Sequence, residues 1–328
     1  MTSELSAVLV TGGAGYIGSH TCKALAHAGY LPVVYDSLAR GHASAVKWGP
    51  LEIGDLLDGE RLRDVLRKYR PYGVIHFAGL SYVGESMEDP LSYYRNNVGG
   101  TMVLLRAMAA EGVTRLVFSS SCATYGTPES IPISEDTVQA PINPYGQSKL
   151  MVEQLMKDHA RATGLSSVAL RYFNAAGADA EGELGETHDP ETHLIPLILG
   201  AVQGSAPAVT VFGDDHPTPD GTCIRDYIHV SDLANAHVKS LSQATANNGF
   251  EALNLGTGRG HSILEVIKAA EEITGRKVPY FFGPRRAGDP SALVADVGRS
   301  QARLDWRTQN SDLSNILKTA WNWMHTKC

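Results

Sequence analysis

Short apolar runs alternate with helical patterns over the first half of the chain, and this alternation limits the fold more than any other feature. Ala7–Val10, Pro32–Tyr35, Gly73–Phe77, Arg115–Phe118 and Ser167–Tyr172 read as strands. Runs with so little polar alternation suit strands covered on both faces. Ile17–Ala28, Glu60–Tyr69, Val98–Glu111 and Tyr145–Thr163 read as the helices between and after them. The pattern implies an α/β protein with a doubly wound parallel sheet (Rossmann-type) and right-handed crossovers. From about Ala175 the rhythm is lost, and Gly, Pro and Asp become frequent in Gly177–Pro190 and Gly213–Gly221. Loops that long inside a compact protein usually serve a site. The expected organisation is a first unit over 1–174, with a later segment around 225–255 packing back on it. A smaller α/β unit over 175–328 would bound a cleft.

Charge and composition exclude several classes of partner. The 328 residues carry 28 basic and 35 acidic side chains, a formal charge of −7, with no basic run or tail. Nucleic acid is therefore not an expected partner. The longest apolar run, Leu194–Val202, contains Pro196 and is too short to span a bilayer. Met1–Ser6 lacks the basic and apolar segments of a secretion signal. Cys22, Cys122, Cys223 and Cys328 are scattered without metal or disulfide spacing, which fits a reduced, cytoplasmic protein.

Directly after the first strand stands Thr11-Gly12-Gly13-Ala14-Gly15-Tyr16-Ile17-Gly18, a Gly-x-x-Gly-x-x-Gly turn that opens a helix. Glycines there allow a tight turn and let a pyrophosphate approach the free N–H groups of the helix start. Asp36 closes the next strand, 18 residues after Gly18. A carboxylate at that place accepts from the adenosine ribose hydroxyls and repels a 2′-phosphate, which points to NAD rather than NADP. Arg40 is the residue that would argue otherwise; it is read as a solvated loop residue. Asp55, closing Leu51–Asp55, is expected to touch adenine, or else only to shape a turn.

Tyr145 and Lys149 lie one helical turn apart just after Pro144, so both project from one face of a helix start. An ammonium about 4 Å from a phenol favours the phenolate by roughly 4 kcal/mol at an effective dielectric near 20. That would bring the tyrosine within range of general-base work at neutral pH. The strand Leu116–Ser119 runs into Ser120-Ser121-Cys122-Ala123-Thr124, placing hydroxyls where an open parallel sheet binds ligands. Cys122 has no evident partner base and reads as a small buried residue. His188 and His193, with Asp189, fit no tight metal spacing and read as solvated loop histidines, so no metal is expected.

This constellation resembles the extended short-chain dehydrogenase/reductase superfamily. Further segments resemble, within it, the UDP-glucose (UDP-galactose) 4-epimerase family. They are His76–Leu80, Val83–Ser86, Tyr93–Asn97, Leu170–Asn174, Arg225–Val230 and Arg285–Asp289, spread over nearly the whole chain. The resemblance implies retained NAD, and Tyr145 taking the proton of a sugar 4-hydroxyl while the C4 hydride leaves. Ser121 would hydrogen-bond the same oxygen, and Lys149 would lower the tyrosine pKa and hold the nicotinamide ribose. The resulting 4-keto sugar would turn and be reduced on its other face. Gly12, Gly15, Tyr16, Ile17, Gly18, Asp36, Asp55, Leu56, Phe77, Ala78, Gly79, Asn96, Ser119 and Tyr172 match cofactor-lining positions. For a UDP-hexose, Arg225 and Arg286 would clamp the diphosphate and Asp289 the uridine ribose. Asn174, His193, Leu194, Thr210 and Phe212 would line the nucleotide pocket. A homodimer packed through Leu91–Ala110 and Tyr145–Arg161 is also implied.

The chain departs from the family pattern at four places. Ser81 stands where lysine is frequent, and Ala123 where threonine is, with Thr124 as a substitute hydroxyl. His193 replaces asparagine, and Leu293 fills the position whose bulk governs admission of N-acetylated sugars. A 4,6-dehydratase would need an Asp-Glu pair where Cys122-Ala123 stands, which sets that reading aside. Epimerases of other UDP-sugars and an NAD-linked reductase are the competing readings. A non-catalytic cofactor-binding regulator is disfavoured by the presence of both Tyr145 and Lys149.

Overall fold

The computed structural model describes residues 5–244, 249–286 and 289–326. Cys328 and the Ala287-Gly288 pair of the Arg-Arg-Ala-Gly-Asp run lie outside these. The first part of the chain forms β1 (Ser6–Thr11), α1 (Tyr16–His27), β2 (Tyr30–Asp36), β3 (Leu51–Ile53), α2 (Gly59–Tyr69) and β4 (Gly73–His76). Next come α3 (Val83–Glu88), α4 (Pro90–Tyr93), a π-helical turn (Tyr94–Gly99) and α5 (Gly100–Ala110). They lead to β5 (Arg115–Ser121), α6 (Pro144–Thr163) and β6 (Ser166–Tyr172). The remainder is β7 (Asn174–Ala176), α7 (Leu194–Gln203), β8 (Val209–Phe212), β9 (Ile224–His229), α8 (Val230–Gln243) and β10 (Gly249–Leu255). It ends with β11 (Gly260–Ser262), α9 (Ile263–Thr274), β12 (Tyr280–Gly283), β13 (Ala292–Leu293), α10 (Gly298–Leu304) and α11 (Leu313–Thr326).

Seven strands form one parallel sheet in the order β3-β2-β1-β4-β5-β6-β10. Alternation along β1 explains the two cores. Ala7 and Leu9 face a cluster with Leu62 and Leu66 of α2, Leu104 and Met108 of α5, and Val152 and Met156 of α6. Val8 and Val10 face the opposite cluster, with Leu25 of α1 and Leu233 and Leu241 of α8. The strand order reverses between β1 and β4, so a crevice opens beyond their carboxyl ends.

The second unit has its own core, built from Ile198 and Leu199 of α7, Val266 and Ile267 of α9, and Ile316 and Leu317 of α11. Its strand β9 pairs with β7, β11 and β13, while β8 pairs with β12. Polar contacts join the units. Tyr16 Oη donates to the Gly177 carbonyl at 2.5 Å, and Lys23 Nζ lies 2.7 Å from Asp179. The buried Asp226 carboxylate of β9 accepts from Thr257, Gly258 and Ala295 backbone N–H groups.

Inside the first unit, Glu153 of α6 and Arg171 of β6 form a buried pair at 2.6 Å. Ser120 Oγ donates to Glu153 at 2.5 Å, and Arg171 donates to Tyr125 Oη at 2.9 Å. Tyr125 in turn donates to Asn254 of β10 at 2.7 Å. Removing one partner leaves an uncompensated buried charge, so Arg171→Met should lower unfolding free energy by about 3–5 kcal/mol in urea titrations. The double change Arg171→Met/Glu153→Leu should recover much of that loss. A single variant within about 1 kcal/mol of the parent protein would show the pair to be dispensable.

Candidate functional site

The crevice at the strand reversal is shaped by Gly12 and Gly18, where a side chain would collide with backbone. Gly12 has φ +72°, and a Cβ there would lie 2.5 Å from the Ala78 nitrogen. At Gly18 a Cβ would lie 2.3 Å from the Gly12 carbonyl oxygen. Gly15, the extended residue before α1, has only the Gly12 oxygen nearby, at 3.3 Å from a built Cβ. No side chain caps α1, so the N–H groups around Tyr16, Ile17 and Gly18 face this open side. The space and the donors suit a pyrophosphate.

Asp36 is buried at the end of β2, where it accepts from the N–H groups of Ala14 at 3.0 Å and Leu38 at 2.8 Å. Each oxygen keeps a lone pair for ribose hydroxyls. Asp55 accepts from Leu57 N–H at 2.8 Å and thus shapes a turn, beside the buried Leu56. Arg40 is not a purely solvated residue. It pairs with Glu85 at 2.5 Å, and its guanidinium lies 5.0 Å from the Tyr82 ring centre, because the loop folds against α3. Phe77 and Ala78 N–H groups both donate to the Thr11 carbonyl, which closes β4 onto β1. These features together accommodate NAD.

Gly79 connects the two halves of the site, since a Cβ there would lie 3.9 Å from Lys149 Nζ. Asn96 is half-buried in the π-helical turn. Its neighbour Asn97, unassigned by sequence reasoning, is the better-anchored of the two. It accepts from Leu80 N–H at 2.8 Å and donates to the Leu80 carbonyl and to Ser148 Oγ. That clamp fixes the segment after Gly79 against α6.

The start of α6 is set by local chemistry. Asn143 accepts from Gly146 N–H at 2.8 Å, and Pro144 occupies the first turn. Tyr145 and Lys149 are both buried, and the ammonium lies 5.7 Å from the Tyr145 ring centre. Ser121, closing β5, partners the Tyr145 phenol and also accepts from Ala123 N–H at 3.1 Å. Lys149 donates to the Ser119 carbonyl at 2.8 Å, and Ser119 Oγ lies 2.7 Å from Tyr172 Oη. Thr124 does not replace the missing Ala123 hydroxyl, because its own Oγ1 is turned back to the Ser121 carbonyl at 3.0 Å.

The electrostatics differ from the simple Tyr–Lys argument. Burial, followed by the nearby Tyr172, pushes the Tyr145 phenol well above its ordinary range. Burial also pulls Lys149 down to about 8, partly opposed by the Glu153 carboxylate one turn along α6. Desolvation of both groups outweighs the attraction between them. Glu153 stands four residues beyond Lys149, on the same helix face, a spacing visible in the sequence. Cys122 is buried and its thiol is pushed up to about 12, mainly by burial, so it is inert.

The other candidate residues gather on the second unit. Arg225 of β9 is buried along its stem and contacts Asp289 at 2.5 Å, so it is not a surface ion pair. Arg286 stacks 3.9 Å from the ring centre of Phe212, which shares β8 with the half-buried Thr210. Asn174 starts β7 opposite Tyr227, and Leu293 of β13 lies beside Arg225 and packs near Cys122, Tyr125 and Phe173. His193 precedes Leu194 at the start of α7. His188 is largely buried rather than solvated, and against the effect of burial Glu186 and Glu191 push it up to about 9. His193 stays half-exposed beside the same Glu186. The isolated residue numbers concealed this grouping, which depends on how the loop folds.

Known proteins share this arrangement. The sequence profile of the NAD dependent epimerase/dehydratase family matches residues 8–256. A UDP-glucose 4-epimerase of Rhizobium leguminosarum bv. trifolii is 52% identical over 320 residues, covering 98% of this chain and 97% of its own. The crystal structure of UDP-glucose 4-epimerase from Brucella ovis, in complex with NAD, is similar with a TM-score of 0.95 and 56% identity, covering 97% of this chain and 98% of its own. That of the Bifidobacterium longum enzyme, in complex with NAD+ and UDP, has a TM-score of 0.93 at 39% identity, covering 98% of each chain. With the glycine turn, Asp36 and the Tyr145–Lys149 pair in place, the chain belongs to the NAD dependent epimerase/dehydratase family.

Proposed function

We propose that the chain interconverts UDP-glucose and UDP-galactose by inverting C4 through a transient 4-keto sugar. The observation that carries this reading is the buried Tyr145 beside Lys149, with Ser121 closing β5, Gly79 next to the lysine, and Leu293, the neighbour of Arg225, packed by Cys122. NAD, when bound, supplies the hydride acceptor and donor for C4 and, oxidised, a positive charge. Tyr145 Oη takes the proton of the 4-hydroxyl and returns it after the sugar has turned. Ser121 Oγ holds the same oxygen through both halves of the reaction. Lys149 and the oxidised cofactor's charge together offset the burial that keeps the phenol protonated.

Arg225 and Arg286 bind the diphosphate, where planar guanidinium groups match phosphate oxygens, and Asp289 accepts from the uridine ribose. Asn174, His193, Leu194, Thr210 and Phe212 line the nucleotide end, and Leu293 limits the room beside the sugar. The protein works as a homodimer. Supporting this, Leu91, Met102 and Met151 are large apolar residues exposed along α4, α5 and α6. Cytoplasmic placement is supported by Cys22, Cys122 and Cys223, all free and buried. Among the described residues, no helix is long and apolar enough to cross a membrane.

Incubated with UDP-galactose and no added NAD, the purified protein should form UDP-glucose without steady NADH accumulation, and UDP-N-acetylglucosamine should react far more slowly. No conversion even after NAD is supplied would overturn the reading. Tyr145→Phe should retain UDP-sugar binding in calorimetry but lose about 10²–10⁴ in turnover. Near-normal turnover would remove the phenol from the chemistry.

Lys149 gives a pH prediction. Its folded pKa of about 8 lies below the ordinary 10.5, so between these values the folded state sheds a proton that the unfolded chain keeps. The penalty of burying the charge is therefore full below pH 8 and relieved as pH rises through that window. In the cofactor-free protein the Lys149 ¹³Cε resonance should titrate near pH 8, and a midpoint at or above the ordinary lysine value would refute this. Met102→Glu/Met151→Glu should shift the light-scattering mass from dimer to monomer. A parent protein already monomeric at micromolar concentration would count against the homodimer.

A further inference from the structure

The loop leading into α7 brings together four ligating atoms that the proposed reaction does not require as a set. They are Glu186 Oε1, His188 Nδ1, Glu191 Oε1 and His193 Nδ1, all within 4.8 Å of one another. His188 Nδ1 is 3.1 Å from Glu186 Oε1, and both histidine nitrogens are 3.9 Å from Glu191 Oε1. His193 Nδ1 contacts the same Glu186 oxygen. Around a tetrahedral ion with bonds of about 2.0–2.1 Å, ligand atoms stand about 3.3 Å apart, close to this spacing.

An ion-paired cluster accounts for His193, which meets Glu186 at hydrogen-bond distance, but not for His188. Protonated imidazoles would aim their N–H bonds at the carboxylates. His188 Nδ1 is instead sealed from solvent and without a hydrogen-bond partner, although the Glu186 oxygen is within reach.

We propose that Glu186, His188, Glu191 and His193 bind a divalent transition-metal ion, zinc being the best match to two imidazoles and two carboxylates. Nitrogen and carboxylate donors in a four-coordinate set suit zinc better than magnesium or calcium, which prefer six or more oxygens. The ion's role is to hold the loop. The His188 ring packs edge-on against Tyr16 of the glycine turn at 6.2 Å and Tyr82 at 5.8 Å, while His193 fixes the start of α7. A bound ion thus ties the second unit to the cofactor crevice. This proposal does not depend on which sugar is the substrate.

The test uses the full chain without an affinity tag, stripped with EDTA and titrated with zinc chloride by calorimetry and elemental analysis. About one zinc per chain should bind at micromolar concentration, and thermal unfolding should shift upward with it. Cobalt(II) should give the visible bands of a four-coordinate site without a thiolate charge-transfer band, which excludes the cysteines. Glu191→Gln and, separately, His188→Gln should weaken binding by at least about 100-fold. Absence of stoichiometric zinc in the parent protein overturns the proposal. So does unchanged affinity in a Glu191→Gln protein that remains folded by circular dichroism.

Discussion

Lys149 carries a cation into the interior with a backbone carbonyl, that of Ser119 at 2.8 Å, as its hydrogen-bond partner. Among the described residues it forms no salt bridge, and the Phe118 ring lies 4.8 Å from its nitrogen. Burying an ammonium costs several kcal/mol, so such a group persists only where its surroundings leave it no alternative. Here they do so from every side. Asn143 and Pro144 set the first turn of α6, Asn97 pins Ser148, and Glu153 supplies negative charge one turn further along. Arg171 holds that carboxylate at 2.6 Å. Burial lowers the Lys149 pKa to about 8, and this carboxylate opposes part of the fall. The position of β5, β6 and α6 relative to one another is therefore also a setting of basicity at the site.

What could be read from the sequence was whatever depends on neighbours along the chain. Uninterrupted apolar runs such as Val8–Val10 and Val33–Tyr35 can only be strands covered twice, and they fill the inner positions of the sheet. The turn at Gly12 needs a positive φ and a missing Cβ, so its residue type betrays it. Desolvation was not legible, because it depends on what the rest of the fold places over a group. For that reason the positions of Tyr145 and Lys149 are legible along the chain, yet the fall expected in the Tyr145 pKa is reversed by burial. The same holds for Arg40, drawn against Tyr82 and Glu85 by a loop whose path no local pattern encodes. His188 and His193 read as solvated because the two glutamates that surround them are neighbours only after the loop has closed.

The two ends of the cleft differ in a way that suits a substrate that must be held and also turned. At the proposed nucleotide end Arg225 is held by Asp289 and Arg286 is stacked on Phe212, so both guanidinium groups are oriented before any ligand arrives. Pre-organised charge of this kind gives affinity without ordering cost. At the sugar end Ser121 and Tyr145 present neutral hydroxyls, with Tyr172 beside Ser119. Hydroxyls both donate and accept, so either C4 configuration finds a partner of similar strength. A charged side chain there would favour one orientation and slow the turn, because bonds to charged groups are about twice as strong as neutral ones. Lys149 is directed at the Ser119 carbonyl. On the proposed function, strong binding at one end and weak, symmetric binding at the other would follow from the same arrangement of strands, with β9 carrying Arg225 and β5 carrying Ser121.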